Sequence, residues 1–147
     1  MTTFETQLIA IANSTDSLCA KAERSILNGG GWTPAIILGH IVDIDKESWL
    51  ARFEMMCTAL HEGQEPPRIE RREPDSAKTS EKYAAFSVTD STALLRQSRK
   101  ELLSFLQSLS VADRGAIAMH KTLGAITIES MLQFILVHDE EHRASIG

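Results

Sequence analysis

Two histidines stand four residues apart in VHDEEH, a segment that begins at Val137. His138 and His142 continue the stripe of Met131 and Ile135, whose three- and four-residue spacing marks one face of an amphipathic helix. Their rings therefore project from consecutive turns of that helix, and this is the spacing at which two imidazoles reach one metal ion. Histidine near a helix C-terminus is also favoured by the helix dipole, so a role without metal stays open.

A third candidate ligand is His40, which interrupts an apolar face between Ile37 and Ile44 of a second predicted helix. A structural zinc site needs four protein ligands, whereas a catalytic one commonly has three and a water molecule. His40 lies near the start of its helix, and His138 and His142 lie near the end of theirs. All three can share one site only if the two helices are antiparallel. The alternative is that each histidine is a buried polar residue with a hydrogen-bond partner.

The carboxylates around these histidines have two interpretations as well. On a helical wheel Asp139 and Glu141 flank the histidine stripe, where either could orient a ligand ring or accept a proton. Asp43, one turn after His40, has a similar position. The alternative is a solvated helix face. We also expect His120 to lie in a linker from which it could approach the site.

The elements that must position these residues are predicted to be four helices in one domain, residues 1–147. The first spans residues 3–27 and ends at the glycine-rich segment 28–31, because glycine suits a helix C-cap. The second spans residues 34–61, with Thr33 as N-cap. Trp32 and Trp49 are expected to be packing residues.

A proline-rich, charged connection follows over residues 62–80, and we predict that the whole stretch 62–89 is a loop. The third helix is predicted to begin at Asp90, and the fourth to begin after an N-cap at Thr127. Only residues 116–119 could form a short extended piece. A long connection can join parallel neighbours in a bundle. The predicted fold is therefore all-α: a four-helix bundle, up-down-down-up, with a long crossover between helices 2 and 3. The histidine site requires the same topology.

Composition excludes several function classes. The net charge of −5 gives no electrostatic footprint for nucleic acid or an anionic membrane. The N-terminal sequence lacks the pattern of a signal peptide, and no apolar run has membrane-spanning length. We therefore expect a cytoplasmic protein in which Cys19 and Cys57 are free, buried thiols.

The segments that begin at Gly31 and Gly124 have the sequences GWTPAIILGHIVDIDKESWLARF and GAITIESMLQFILVHDEEHRASI. They resemble the second and the closing helix of the DinB-like (DinB/YfiT) superfamily. The resemblance implies an up-down-down-up four-helix bundle with a divalent metal, zinc or nickel, held by His40, His138 and His142. It also implies a possible homodimer. Some members of that superfamily are transferases or isomerases that use a low-molecular-weight thiol such as bacillithiol or mycothiol.

The three-histidine site predicts a metal-dependent transferase or a metal-dependent hydrolase, and only the resemblance favours the transferase, with a low-molecular-weight thiol as its cofactor. In the first, a cofactor thiol supplies the nucleophile. In the second, water does, with Asp139 or Glu141 as catalytic proton acceptor. The small-molecule substrate is not predicted. The alternative is a non-enzymatic metal- or ligand-binding protein, or a stress-related interaction module, in which the histidines only stabilise the core.

Overall fold

The structure is a computed structural model that describes residues 2–25, 31–71 and 74–147. A long second helix is continuous through three parts: α2, a π-helical segment and α3. The helices are α1 (Thr3–Arg24), α2 (Pro34–Ile44), the π-helical segment (Asp45–Leu50), α3 (Ala51–His61), α4 (Ser76–Tyr83), α5 (Val88–Gln107), α6 (Val111–Arg114) and α7 (Ile128–Ser145). The strands are β1 (Arg68–Ile69), β2 (Ile117–His120) and β3 (Gly124–Thr127).

The four long helices form the predicted bundle, and pairs of contacts give their directions. Ser91 Oγ donates to the carbonyl of Ala35 over 2.9 Å, and Ser98 Oγ donates to Asp45 over 2.8 Å. Residue numbers rise together on both helices, so α2 and α5 are parallel.

The other helix directions follow in the same way. Ser14 Oγ donates to Asp139 over 2.8 Å and Lys21 Nζ to the Arg143 carbonyl over 2.7 Å, so α1 and α7 are parallel. The rings of the long second helix meet those of α7 in reverse order. His40 contacts His142, and Trp49 contacts His138. The order up, down, down, up is therefore confirmed.

Helix ends are set by side-chain caps. Thr127 caps α7 as predicted, because its hydroxyl accepts the N–H of Ser130 over 3.1 Å. The N-cap of α5 is Ser87, so the prediction of Asp90 was wrong. Asp90 is the third residue of that helix and returns its carboxylate to the Ser87 N–H, which completes a capping box. α1 ends at Arg24, and of the predicted stop at residues 28–31, positions 28–30 lie outside the described residues.

The connection between α3 and α5 is more ordered than the predicted loop. It contains β1 and α4, and β1 pairs in parallel with β2 of the hairpin β2–β3. The Met119 N–H donates to the Pro67 carbonyl over 2.8 Å, and this bond fixes the start of the connection. α4 then packs on α2, where the Tyr83 ring lies against Gly39.

The core is apolar on the inner faces of all four long helices. It divides into two clusters of buried residues, which include Phe4, Phe53, Met56, Leu102 and Ile128 in one and Leu18, Leu38, Ile41 and Leu95 in the other. Cys19 and Cys57 are buried and unpaired, as predicted. Within the described ranges, no helix combines the length and the apolar content needed to cross a membrane.

Candidate metal centre

The structure brings His40, His138 and His142 together. One potential ligand atom from each lies within 4.8 Å of the others. The ring centroids are 4.6 Å apart for His40 and His142, 5.3 Å for His40 and His138, and 4.4 Å for His138 and His142. Two antiparallel helices thus supply three imidazoles at one end of the bundle, as the spacing of the sequence required.

The pair on α7 has the separation of two ligands on one ion. The Nε2 atoms of His138 and His142 are 3.1 Å apart. Two nitrogen ligands at zinc-binding distance on a tetrahedral ion would lie roughly 3.3 Å apart. The i, i+4 spacing therefore gives the ligand separation directly, without a change in the helix. In the metal-free chain one of these nitrogens donates a hydrogen bond to the other.

All three histidines are held neutral near pH 7. Burial, and then the neighbouring His142, lower the pKa of His40 to about 4, although Asp43 opposes the shift. Burial, followed by His142 and His40, lowers the pKa of His138 to about 3. Burial also lowers the pKa of His142, against the opposing charge of Glu141. Neutral imidazole is the form that binds a metal ion, so the cluster does not need to lose protons first.

Two ring nitrogens at this cluster are buried without a hydrogen-bond partner among the described residues. They are Nδ1 of His40 and Nδ1 of His138. Buried polar atoms are nearly always hydrogen-bonded, because an unpartnered one costs about 1–3 kcal/mol. The unpartnered nitrogens argue against the alternative in which these histidines are only well-satisfied core residues. The donor set and its neutral state fit a divalent metal such as zinc or nickel.

Two tryptophans border the cluster. The Trp32 ring centroid is 5.1 Å from that of His40, and the Trp49 ring centroid is 6.2 Å from that of His138. Trp49 is also part of the buried core, in agreement with its predicted packing role. Their contacts with candidate ligands were not predicted. They give the site an aromatic neighbour at His40 and another at His138.

The two carboxylates predicted to act beside the histidines lie in different environments. Asp139 is fully buried, and both of its oxygens accept hydrogen bonds from Arg99, at 2.6 and 2.7 Å. Glu141 is exposed and acts on His142 through its charge. The proton-acceptor roles of Asp139 and Glu141 stay predictions, but the hydrogen bonds commit the Asp139 carboxylate to the guanidinium.

Arg99 is the buried centre of an ionic network that sequence reasoning missed. Its Nε donates to Asp45 over 2.9 Å, while its two terminal nitrogens hold Asp139. The side chains of Arg99, Asp45 and Asp139 are only 2%, 1% and 0% exposed. The sequence did contain a signal: Arg99 lies four residues after Leu95 and three before Leu102, on the buried stripe of α5.

Two further candidate residues, Asp43 and His120, form hydrogen bonds with residues outside the histidine cluster. Asp43 accepts hydrogen bonds from the Tyr83 hydroxyl, at 2.7 Å, and from Lys82 Nζ, at 2.9 Å. His120 lies on β2 and its Nδ1 accepts backbone N–H groups from the following turn. It is not among the clustered ligands. A surface cleft of about 450 Å³ runs beside His120 at the sheet edge, and none of the three clustered histidines lines it.

Comparison with known proteins agrees with this picture. The sequence profile of the DinB superfamily matches residues 6–146. YfiT from Bacillus subtilis, described as a probable metal-dependent hydrolase with an unusual four-helix bundle topology, superposes with a TM-score of 0.75. The match has 22% identity and covers 99% of this chain and 86% of YfiT.

A second similar structure is a mutant of the mycothiol-dependent maleylpyruvate isomerase, with a TM-score of 0.66 and 14% identity over 100% of this chain. This chain spans 64% of the isomerase's length. Among curated proteins, none matches the chain. At these identities the two structures establish the fold alone.

Proposed function

We propose that this chain, which belongs to the DinB superfamily, is a metal-dependent enzyme that acts on a small-molecule substrate. One divalent ion, zinc or nickel, would be held by His40, His138 and His142. The observation that carries the proposal is the convergence of three neutral imidazoles within 4.8 Å on two antiparallel helices. YfiT, the similar structure described as a probable metal-dependent hydrolase, supports the metal dependence.

The ligand set favours catalysis over a purely structural ion. Among the described residues, the metal-binding group contains the three histidines and no fourth His, Cys, Asp or Glu. A structural zinc site is closed by four protein ligands, whereas three ligands leave a position open. When bound there, the ion would lower the pKa of a thiol or a water molecule and so supply a nucleophile at neutral pH. The residues themselves stay neutral, so the ion keeps its full charge.

Of the two nucleophiles, we propose a low-molecular-weight thiol. Generating a nucleophile from water is helped by a nearby proton acceptor, but the hydrogen bonds of Asp139 are committed to Arg99. A free thiol has a pKa near 8.5 and needs much less help to ionise. The reaction class is then thiol-dependent transfer or isomerisation. The similarity to the mycothiol-dependent isomerase, whose name states such a cofactor, supports this class.

Hydrolysis is the second candidate, and one observation favours it. Glu141 is exposed, and its negative charge opposes the burial that lowers the pKa of His142, which places an acceptor near the ligand cluster. In that reaction Glu141 would take the proton from water. The thiol and water versions differ in one measurable property, which is whether turnover of an electrophile requires an added thiol.

The competing proposal is a non-enzymatic protein in which the histidines only stabilise the core, and metal analysis separates it from the first. The purified chain should contain ~1 zinc or nickel ion per molecule, and His138→Ala with His142→Ala should abolish it. His61→Ala and His120→Ala are matched controls, because both histidines lie outside the cluster, on α3 and β2. These two variants should retain the ion.

The ion of the loaded protein would next be replaced with cobalt, and the cobalt form would be titrated with small thiols. A change in the cobalt absorption spectrum on thiol addition, lost in the double histidine variant, supports the thiol proposal. No spectral change, together with thiol-independent turnover that Glu141→Gln reduces, would favour hydrolysis. If the protein binds neither zinc, nickel nor cobalt, the enzymatic proposal is wrong and the histidines are polar core residues.

A further inference from the structure

The three candidate ligands are held by helices that are not principal neighbours. His138 and His142 are fixed relative to each other by one turn of α7. His40 stands on α2, which packs chiefly on α5, whereas α7 packs chiefly on α1. The separation between His40 and the α7 pair therefore depends on packing through other helices. A small slide of α2 against α7 would open the ligand triangle, although each helix stayed intact.

One side chain bridges the two ligand-bearing helices. Arg99, on α5, donates from Nε to Asp45, at 2.9 Å, and from its terminal nitrogens to Asp139, at 2.7 and 2.6 Å. Asp45 begins the π-helical segment that continues directly from α2, and lies five residues after His40. Asp139 is the residue next to His138. The bridge thus meets each helix close to its ligand, within about 8 Å along the axis on the α2 side.

The network also reaches the fourth long helix. Ser14 Oγ, on α1, donates to Asp139 over 2.8 Å, and Ser98 Oγ donates to Asp45 over the same distance. All four long helices of the bundle thus meet at this one cation. The guanidinium is planar and its donors point in fixed directions, so it sets angles as well as distances between the two carboxylates.

We infer that Arg99 is the positioning residue of the three-histidine site, and that it sets the spacing between His40 and the His138–His142 pair. Its ion pairs are with Asp45 and Asp139, so it acts through the two helices and does not itself bind the metal. Removing three charged groups from water is costly, and an apolar cluster of equal volume is often as stable or more so. A gain in specificity, here in the relative placement of two helices, accounts for the network better than a gain in stability.

The metal part of this inference rests on the proposed function, but the spacing itself can be measured without metal. In the metal-free full chain, magnetisation transfer between ring protons in NMR reports the His40–His142 contact across helices. It also reports the His138–His142 contact within α7, which serves as an internal reference. In Arg99→Lys and in Asp45→Asn, we expect the signal across helices to weaken and the one within α7 to persist.

Arg99→Lys keeps the positive charge but loses the planar, forked group of N–H donors. Asp45→Asn keeps the shape of the side chain but loses its negative charge. Both variants are therefore milder than removal of Arg99. The matched control is Arg96→Met, one turn earlier on α5. Its exposed ion pair with Asp16, over 2.7 Å, does not join the ligand-bearing helices. Circular dichroism must show native helix content in every variant that is compared.

The second readout is cobalt affinity, measured by competition with a chelator. Arg99→Lys and Asp45→Asn should weaken it by about 10- to 100-fold, the usual effect of losing an outer partner of a metal site. Arg96→Met should leave the affinity near that of the unchanged protein. Folded Arg99 and Asp45 variants that keep the contact across helices would overturn the inference. If the unchanged protein shows that contact and the two variants lose it, but no ion binds, the positioning role stands and the proposed function fails.

Discussion

The contact between α4 and α2 is sharp enough to predict the effect of one added methyl group. A Cβ on Gly39 would lie 2.4–2.6 Å from three carbons of the Tyr83 ring. Carbon atoms in good contact are about 3.5–4.0 Å apart, so the ring must retreat by roughly 1 Å. Tyr83 is only 2% exposed, and its hydroxyl is bonded to Asp43 over 2.7 Å, so it cannot retreat freely. Gly39→Ala should therefore destabilise the protein.

The size of the loss in unfolding free energy follows from two effects that lower stability and one that raises it. Overpacking a well-filled site costs about 1–3 kcal/mol. Displacing Tyr83 from Asp43 adds about 1.5 kcal/mol, the lower end for a hydrogen bond to a charged group, because Asp43 is partly exposed. Alanine in place of glycine within a helix returns about 1 kcal/mol. The net loss of unfolding free energy for Gly39→Ala is about 2.5 kcal/mol when the middle of the overpacking range is used.

Urea denaturation of the metal-free protein measures this loss, and a second background tests its cause. In Tyr83→Ala the ring is absent, so Gly39→Ala should there become neutral or stabilising by up to about 1 kcal/mol. If Gly39→Ala stabilises the unchanged protein, or costs the same in both backgrounds, then α4 does not pack on α2 as the structure has it.

Three other perturbations have expected outcomes. Tyr83→Phe keeps the ring but loses the hydroxyl bond to Asp43, so urea denaturation should show a loss of about 1–2 kcal/mol. Thr127→Ala removes the α7 N-cap and should cost about 1 kcal/mol in the same assay, whereas a loss near zero would contradict the capping box. The pKa of His40 is lowered to about 4 and that of His138 to about 3, below the unfolded value near 6.5. Below pH 6.5 the unfolded chain therefore binds more protons than the folded chain. The urea midpoint of the metal-free protein should fall as the pH drops from 6.5 towards 4, and this dependence on pH should be weaker in His138→Ala.

The histidine cluster could be predicted because it depends on periodicity alone. The 3.6-residue repeat places His138 and His142 on the same face as Ile135, and places His40 among isoleucines. Once the helices were assigned, one topology brought the three together, and the long crossover indicated the same one. Thr127 was predictable for a similar reason, because an N-cap threonine is a local signal.

What the sequence concealed depends on contacts between distant segments. β1 has two residues and pairs with a strand about fifty residues later, so no local pattern marks it. Asp139 lies among charged residues that are typical of a solvated helix face. Only its contact with Arg99, on another helix, shows that it belongs to the buried network. Arg99 itself was detectable, since a cation on the Leu95–Leu102 stripe of α5 needs a buried partner. No rule that considers one helix at a time could have identified Asp45 and Asp139 as that partner.

Several departures from an apolar core lie together in one part of the bundle. His138 has a buried nitrogen with no hydrogen-bond partner in the described part of the chain, and the next residue, Asp139, joins the buried network. Within the same described ranges, His40 has another unpartnered nitrogen, and Asp45, which follows it on the same helix, has an unpartnered oxygen. Each such atom lowers stability, and apolar residues would avoid the loss. Sequences usually agree with their fold at every level except where function requires otherwise. The adjacency of ligand and network on both helices therefore indicates one functional unit, in which the ionic network positions the histidines.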